Sequence, residues 1–515
     1  MRTPKVGADD FLAAGGHLDG LDRAEPPRPM IGVSGDLPAM TREAWAALIA
    51  ANDPPRLFCR GAVPVRLEDD VPPRTRLLTP DRMRYALARA SRWERTEKTK
   101  KGPRVVEALP PLAVVRDLLA TPTPPLPRLA RIVTTPTFTP SGRIRVVPGY
   151  DPDGCSYFAP PPDLVVPTVP DCPSPEQIGA AALFLLQDYL GDFPFTGVAE
   201  AAHALALLLL PFVRELIDGP TPLHLVEAST PGTGKTLLVD ACLWPALGQA
   251  APMMAEARDD DEWRKRITAK LLASAAVVCL DNLRRPLDSG ALASALTATV
   301  HEDRILGRSD VEAVPVRCIW AATGNNPRLS LEIARRAIRI RLDARTEQPW
   351  LRTGFRLPDI LAWASAHRGR INAAALTLGQ AWIAAGRPRG SVRLGMYERW
   401  AEVMGGILAV AGVDGFLANR EQFYKRADPE GAEHRAFLAA WWSRHADGHV
   451  TTSELLKVDP LPSRIEESER GRGHRLGKLL SALCDRHFGL GDGLTVRIER
   501  VGEVQGAALW RLGSS

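Results

Sequence analysis

The sequence predicts an α/β protein built on a mostly parallel sheet, with a small α+β unit before it and a winged-helix order after it. Three observations carry this. From Pro222 onward, short β-branched runs alternate with helical patterns. One of those runs leads into a glycine loop and then a helix, and the residues after Gly431 order as helices followed by a two-stranded hairpin. At 515 residues the chain has room for several compact units. Its 45% hydrophobic and 24% charged residues are those of an ordinary globular protein. Apolar runs such as Ala180 to Leu186 and Ala204 to Leu210 fall well short of the roughly 18 residues a membrane span needs. The amino terminus lacks the apolar core of a secretory leader, so the cytoplasm is the expected location and no membrane partner is expected. Seven scattered cysteines without a Cys-x-x-Cys pair suggest neither a disulfide framework nor a zinc cage. The net charge is only +5, yet arginines outnumber lysines 55 to 10. That bias suits phosphate contacts and also follows from a GC-rich genome.

Prolines set the expected boundaries. Residues 1–30 form a stub and 31–127 a small α+β domain. Within the latter, a helix is expected over Thr41 to Ala51, strands over Arg56 to Cys59 and Val63 to Leu67, a helix over Pro80 to Ala90, and two extended pieces around Lys98 to Gly102. The basic hairpin tip makes this unit a candidate for DNA binding. An extended linker covers 128–175, the sheet-bearing core 176–345, a helical lid 346–427 and a winged helix 428–515. In the last of these, helices are expected over His434 to His445, Thr452 to Lys457 and Arg475 to Phe488, and strands over Leu494 to Val501 and Ala507 to Leu512.

The chemistry concentrates after the strand Leu223 to Glu227, which runs into Ser229, Thr230, Pro231, Gly232, Thr233, Gly234, Lys235 and Thr236 and then a helix. Strand, glycine loop and helix in that order are the context of a P-loop. Gly232 and Gly234 turn backbone amides toward a phosphate, Lys235 reaches the β and γ oxygens, and Thr236 offers a hydroxyl to Mg²⁺. Ser229 replaces the first glycine of the pattern. A buried strand over Ala275 to Leu280 ends in Asp281, 46 residues after Lys235, where a second Mg²⁺ contact belongs; otherwise this residue caps the next helix. The next residue is Asn282, which can orient water but cannot take its proton, so the base is unassigned. A third strand ends in Thr323, Gly324, Asn325 and Asn326. Either asparagine can hold the attacking water, or the pair is simply a turn. Arg335 and Arg336 precede the strand Ile338 to Leu342; one of them can act on a neighbouring subunit's nucleotide, or both lie on a solvated face. ATP and Mg²⁺ are the expected cofactors.

These residues, with the runs HLVEASTPGTGKT, LDNLRRPLDSGALASALTA, DRILGRSD and AATGNNPRLSLEIARRAIRIRLD, resemble the AAA+ ATPases. The spacing and the hairpin-like insert are similar to those of superfamily-3 helicases, and more specifically to the ATPase portion of primase-helicase proteins of phages and integrated elements. The resemblance runs from about Leu190 to the carboxyl terminus and, more weakly, back to Arg56. It implies a homo-hexameric ring that hydrolyses ATP between subunits and moves along DNA, with Lys235, Thr236, Asp281, Asn326 and Arg336 as matching positions. The stub KVGADDFLAAGG resembles the tail that follows a Toprim-type primase domain. A primase is therefore expected as a separate partner or as a lost half, and primer synthesis is not expected of this chain.

Candidate DNA contacts are fewer in type. The insert Arg304 to Glu312 reads as strand, turn, strand, and its Arg308 is placed to track backbone phosphates or else lies on a surface hairpin. Arg264 and Lys265 follow an acidic run, as a pore element or as a helix with acid at its start. Arg472, Arg475 and Lys478 give the carboxyl-terminal helix a basic edge suited to a major groove. The expected function is an ATP-dependent helicase or translocase on single-stranded and forked DNA, in replication of a mobile element. Two alternatives stand beside it: a nucleotide-switched assembly or loading factor with slow hydrolysis, and a DNA-binding replication initiator.

Overall fold

The structure is a computed structural model, and it describes residues 28–61, 63–70, 73–304, 311–466, 468–491, 493–504 and 506–514. The chain divides into two compact units. The first comprises Met1–Ile132, Gly149–Tyr157 and Glu312–Val314, and the second Val133–Pro148, Phe158–Val311 and Pro315–Ser515.

In the first unit, β1 (Met30–Gly32), β5 (Arg92–Thr99) and β6 (Gly102–Ala108) form one three-stranded sheet. A second contains β2 (Leu57–Arg60), β3 (Val63–Glu68) and β4 (Arg74–Leu77). Three helices pack Trp45, Leu48, Met83, Leu87, Val114 and Leu118 into one core with Trp93: α1 (Leu37–Ala50), α2 (Pro80–Ala90) and α3 (Leu112–Leu119). Helix α2 has the expected bounds because its ends are written locally: the Thr79 hydroxyl accepts from the Arg82 amide, and proline follows at the first helical position. Strands β1 and β4 and helix α3 went unread in the sequence. They are short and flanked by proline, and the partner of β1 lies some 60 residues along the chain.

The second unit is built on five parallel strands: β7 (Leu223–Ala228), β8 (Met253–Ala255), β9 (Val277–Leu283), β10 (Ile319–Asn325) and β11 (Ala337–Leu342). Their spatial order is β8, β9, β10, β7, β11. Helices α4 (Val198–Val213) and α5 (Lys235–Leu247) cover the sheet, burying Leu207, Leu208, Leu238, Val239 and Cys242 against Val226, Cys279, Ala321 and Ile340. Strand β7 is buried along its whole length, which is why it reads as an apolar run without alternation. Helix α6 (Asp260–Leu272) follows β8, and α7 (Arg420–Ala427) leads through Asp428 into α8 (Pro429–His445).

At the carboxyl end, α9 (Arg472–Leu483) packs Leu476 and Leu480 with Trp441, Val496, Trp510 and Leu512. This helix ends five residues earlier than the sequence suggests, because Phe488 belongs to a strand, His487–Gly491. The expected two-stranded hairpin, observed as Leu494–Val504 and Ala507–Ser514, is therefore part of a four-stranded sheet that also takes in Val450–Thr451. Phe488 alternates with exposed neighbours, a period-two pattern too short to separate from a helix end. Among the described residues, no helix is long and apolar enough to cross a membrane.

Candidate phosphate-binding site

Strand β7 delivers the loop Ser229 to Gly234 to the amino end of α5. Gly232 and Gly234 have φ of +75° and +92°, so both need the freedom that glycine alone has without strain. A side chain on Gly232 would also meet Trp350, 3.0 Å away. The loop closes on itself where the Thr233 hydroxyl donates to the Thr230 carbonyl at 2.7 Å.

The strand order puts β10 between the P-loop strand and the strand of Asp281, and the side chains at the three strand ends meet. Lys235 Nζ donates to Asn325 Oδ1 at 2.7 Å. Thr236 Oγ1 donates to Asp281 Oδ1 at 3.0 Å, and Thr323 Oγ1 donates to the same oxygen at 2.7 Å. The Thr323 hydroxyl in turn accepts from the Asn282 amide at 2.8 Å, which holds the turn after Asp281 against β10. Burial lowers the pKa of the Lys235 ammonium and Asp281 acts to raise it, with a net downward shift. A hydroxyl and a carboxylate side by side are hard oxygen donors of the kind that bind Mg²⁺ together with phosphate oxygens. Thr236 and Asp281 would hold that ion. Among the described residues there is no cluster of three or more histidine, cysteine or acidic side chains that could hold a metal by itself.

Both asparagines at the strand ends have left-handed backbone, Asn282 at φ +56° and Asn326 at φ +44°. Asparagine tolerates that region better than most side chains, which accounts for its use twice here. At Asn282 it accompanies a register shift between Leu280 and Leu283, a bulge at the edge of the site. With its side-chain amide oriented so that the oxygen, not the nitrogen, meets the donors, Asn282 accepts from the Arg284 guanidinium at 3.0 and 3.1 Å. Glu256, at the end of β8, accepts from the Arg284 and Arg285 amides at 2.9 and 3.2 Å and fixes the loop after Asp281.

The two adjacent asparagines face different partners. Asn325 meets Lys235, whereas Asn326 Oδ1 accepts from Arg426 Nη2 at 2.8 Å and from Arg341 Nη1 at 3.2 Å. Both arginines also reach Glu227 Oε1, at 2.6 Å from Arg341 and 3.4 Å from Arg426. Glu227 is buried, so this carboxylate, two arginines and an amide form a closed network at the end of β7, joined from α7. A second network lies beneath it. His203 Nδ1 bonds the Arg339 carbonyl at 2.8 Å and Nε2 accepts from the Leu417 amide at 2.9 Å, while Asn419 donates to Glu200 at 2.7 Å. Nothing in the apolar run around His203 announces either bond, because their partners lie more than 130 residues away.

The other sequence-predicted residues divide by environment. Arg335 is exposed and lines a cavity of about 430 Å³ with Met396, Arg420, Glu421 and Tyr424. Arg336 is turned back, donating to the Glu332 carbonyl at 2.8 Å and pairing with its carboxylate at 3.4 Å. Arg264 and Lys265 both pair with Asp261, at 2.6 and 2.7 Å, so α6 is a helix with acid in its first turn. Arg475 donates to the carbonyls of Ile465 and Arg470, both at 2.8 Å, and to that of Ser468; it staples the loop before α9. Lys478 is exposed, and Arg472 starts α9 half-buried. Arg308 lies outside the described residues, although both flanking strands, Val300–Arg304 and Val311–Pro315, are present. Trp350, 59% exposed beside Gly232, went unread because nothing local ties it to the loop.

No protein-family model matches the chain, and no curated protein does. Among solved structures, the A-form apo structure of the NrS-1 C-terminal region matches over 91% of this chain and 99% of that one, at 12% identity and a TM-score of 0.33. A likeness of that size leaves the function to be argued from this chain's own residues.

Proposed function

We propose that the chain binds and hydrolyses ATP with Mg²⁺ and uses the energy to move on DNA, as a helicase or translocase in the replication of a phage or integrated element. The observation that carries the reading is the meeting of Lys235, Thr236, Asp281 and Asn325 at the ends of three adjacent parallel strands. A P-loop lysine and threonine need a carboxylate partner for the metal and a polar group near the γ-phosphate, and the four side chains that meet here are of those kinds, which supports the reading. In this reading the loop amides and Lys235 bind the phosphates, and Thr236 and Asp281 hold Mg²⁺, which neutralises charge on the β and γ oxygens. Asn325, the amide next to Lys235, orients the attacking water. The proton of that water is not Asn282's to take, and Glu227 is committed to two arginines. Arg335 is the better placed of the two candidates to act on a neighbouring subunit, since it is exposed and Arg336 is bound back to Glu332. A ring of identical subunits, the helical lid and a winged helix at 428–515 belong to the same proposal.

The test is ATP turnover with and without single-stranded and forked DNA. Stimulation by DNA, with loss of turnover in Lys235→Ala, supports a translocase; turnover indifferent to DNA counts against it. The absence of a carboxylate directly after Asp281 favours the second reading, a nucleotide-switched loading factor. That protein would bind ATP, change its assembly state and turn over slowly whatever the DNA.

A further inference from the structure

Strands β5 and β6 continue well beyond the core of the first unit. They pair antiparallel from Trp93↔Ala108 out to Thr99↔Gly102, yet Trp93 is the last residue of β5 to be buried. The six residues from there to the tip reach about 20 Å at about 3.3 Å per residue. Strand β1 covers only Arg92 to Glu94, and beyond that point neither edge of the ribbon pairs with another strand among the described residues. The tip is tightly built: the Thr99 hydroxyl donates to the Gly102 carbonyl at 2.7 Å, and Gly102 has a φ of +108°.

Charge is sorted along this ribbon. At its base two carboxylates face each other across the strands, Glu94↔Glu107. Over residues 95–104, five cations stand against one carboxylate, and that carboxylate, Glu97, is taken by Arg95 at 2.6 Å. Lys98, Lys100 and Lys101 are exposed and make no ion pair among the described residues. A chain with ten lysines among 515 residues thus places three of them within four positions at one tip. Lysine is a compact, strongly hydrated charge without the bidentate fork of arginine, so such a tip suits phosphates met in no fixed geometry. From Arg95 to Val106 the ribbon has no aromatic side chain, and stacking on aromatics is how single strands are usually held.

We propose that the Lys98–Lys101 tip contacts the phosphate backbone of duplex DNA without reading its sequence. A two-stranded ribbon is of a width that a DNA groove admits, and the acidic base keeps the contact at the tip. Edge-strand lysines also discourage strands from pairing with other chains. That bland role would spread charge along the open edges, whereas here it is gathered at the turn. The contact needs no nucleotide, so it stands or falls apart from the ATPase reading.

The test uses the full chain and a mixed-sequence duplex of 20 base pairs, with binding measured from 50 to 200 mM salt. Three neutralised phosphates change the slope of log affinity against log salt by about 2.7, so the wild type should lose about 40-fold more affinity over that range than Lys98→Ala/Lys100→Ala/Lys101→Ala. The triple arginine variant should keep the wild-type slope, which separates charge from fold. An unchanged slope in the alanine variant overturns the proposal. So does self-association of that variant without any change in duplex binding, which assigns the lysines to edge protection. Equal or tighter binding of a single strand of the same length, lost in the same variant, overturns the duplex assignment. Failure of ATP hydrolysis with the salt result intact would count only against the proposed ATPase.

Discussion

The ends of the central sheet and the tip of the β5–β6 ribbon are both rich in cations, and they use them in opposite ways. At the sheet, Arg341 and Arg426 converge on one buried carboxylate and one amide. At the ribbon, three lysines stand in solvent without an ion pair among the described residues. A charge taken out of water has to be paired, so the buried Glu227 carboxylate commits both arginines to the fold; exposed unpaired cations cost the fold little and remain available to a ligand. Counting arginines and lysines therefore says little about binding until each one's commitments are known.

The comparison can be broken most sharply at Lys235, a buried cation at the proposed phosphate site. Lys235→Ala should abolish ATP turnover while circular dichroism stays unchanged, because among the described residues the lysine hydrogen-bonds only to a loop carbonyl and to Asn325. Retained turnover would remove the P-loop from the mechanism. Next comes the exposed arginine. In mixtures of Lys235→Ala with Arg335→Ala subunits, composite sites should regain activity, since an arginine acting across an interface is worth about 10³ to 10⁵ in rate. The mixture with Arg336→Ala needs no such rescue, because that single variant should hydrolyse ATP at near the normal rate; a large loss there would exchange the two roles.

The fold's own share is tested at Glu227. Replacement by alanine leaves Arg341 and Arg426 without their carboxylate and should cost roughly 2 to 3 kcal/mol in urea unfolding. That is short of the full cost of breaking a buried pair, because half-exposed Arg426 can turn to water; Arg426→Ala should cost under about 1 kcal/mol. An equal cost for both would mean that the network is not organised around the glutamate. Acid provides a smaller and broader effect. Burial lowers the pKa of His203 and pushes that of His224 down to about 3, so the unfolded chain binds protons that the folded one refuses. Stability should therefore fall as pH drops below about 6.5, by up to roughly 1.4 kcal/mol per pH unit for each histidine. In His224→Phe, which keeps a ring against Trp400, the slope should be shallower between pH 6 and 4, by about that amount. The smallest effect needs no loss of function at all. Trp350 lies on the P-loop, so adding ATP with Mg²⁺ should change its fluorescence, and Trp350→Phe should remove that change while binding persists.

What could be read from the sequence was what is written locally. The order of strand, glycine loop and helix, the capped helix α2 and the hairpin around Lys98 to Gly102 each have their determinants within a few residues. Asp281 could be placed because a strand end next to a P-loop is a strong constraint. Which asparagine faces Lys235 could not, because adjacent residues at a strand end point opposite ways and the turn decides. The Glu227, Arg341 and Arg426 network spans some 200 positions and leaves no periodic trace. The bonds of Arg475 were illegible for a related reason: helical spacing gives it a face but cannot show that its guanidinium donates to the carbonyls of Ile465, Ser468 and Arg470.

The left-handed backbone at Asn282 also bears on how this site can evolve. A glutamate there would have to hold a conformation that most side chains enter only at a cost of about 1 to 2 kcal/mol, and it would give up the amide's contact with Arg284. Aspartate tolerates the same region much as asparagine does, and the asparagine codons become aspartate codons by a transition at their first base. The mutational path to a carboxylate beside Asp281 thus opens on a short acid, too close to the strand to reach as far as a glutamate. The backbone at this one position filters which catalytic arrangements descendants of the sequence can try.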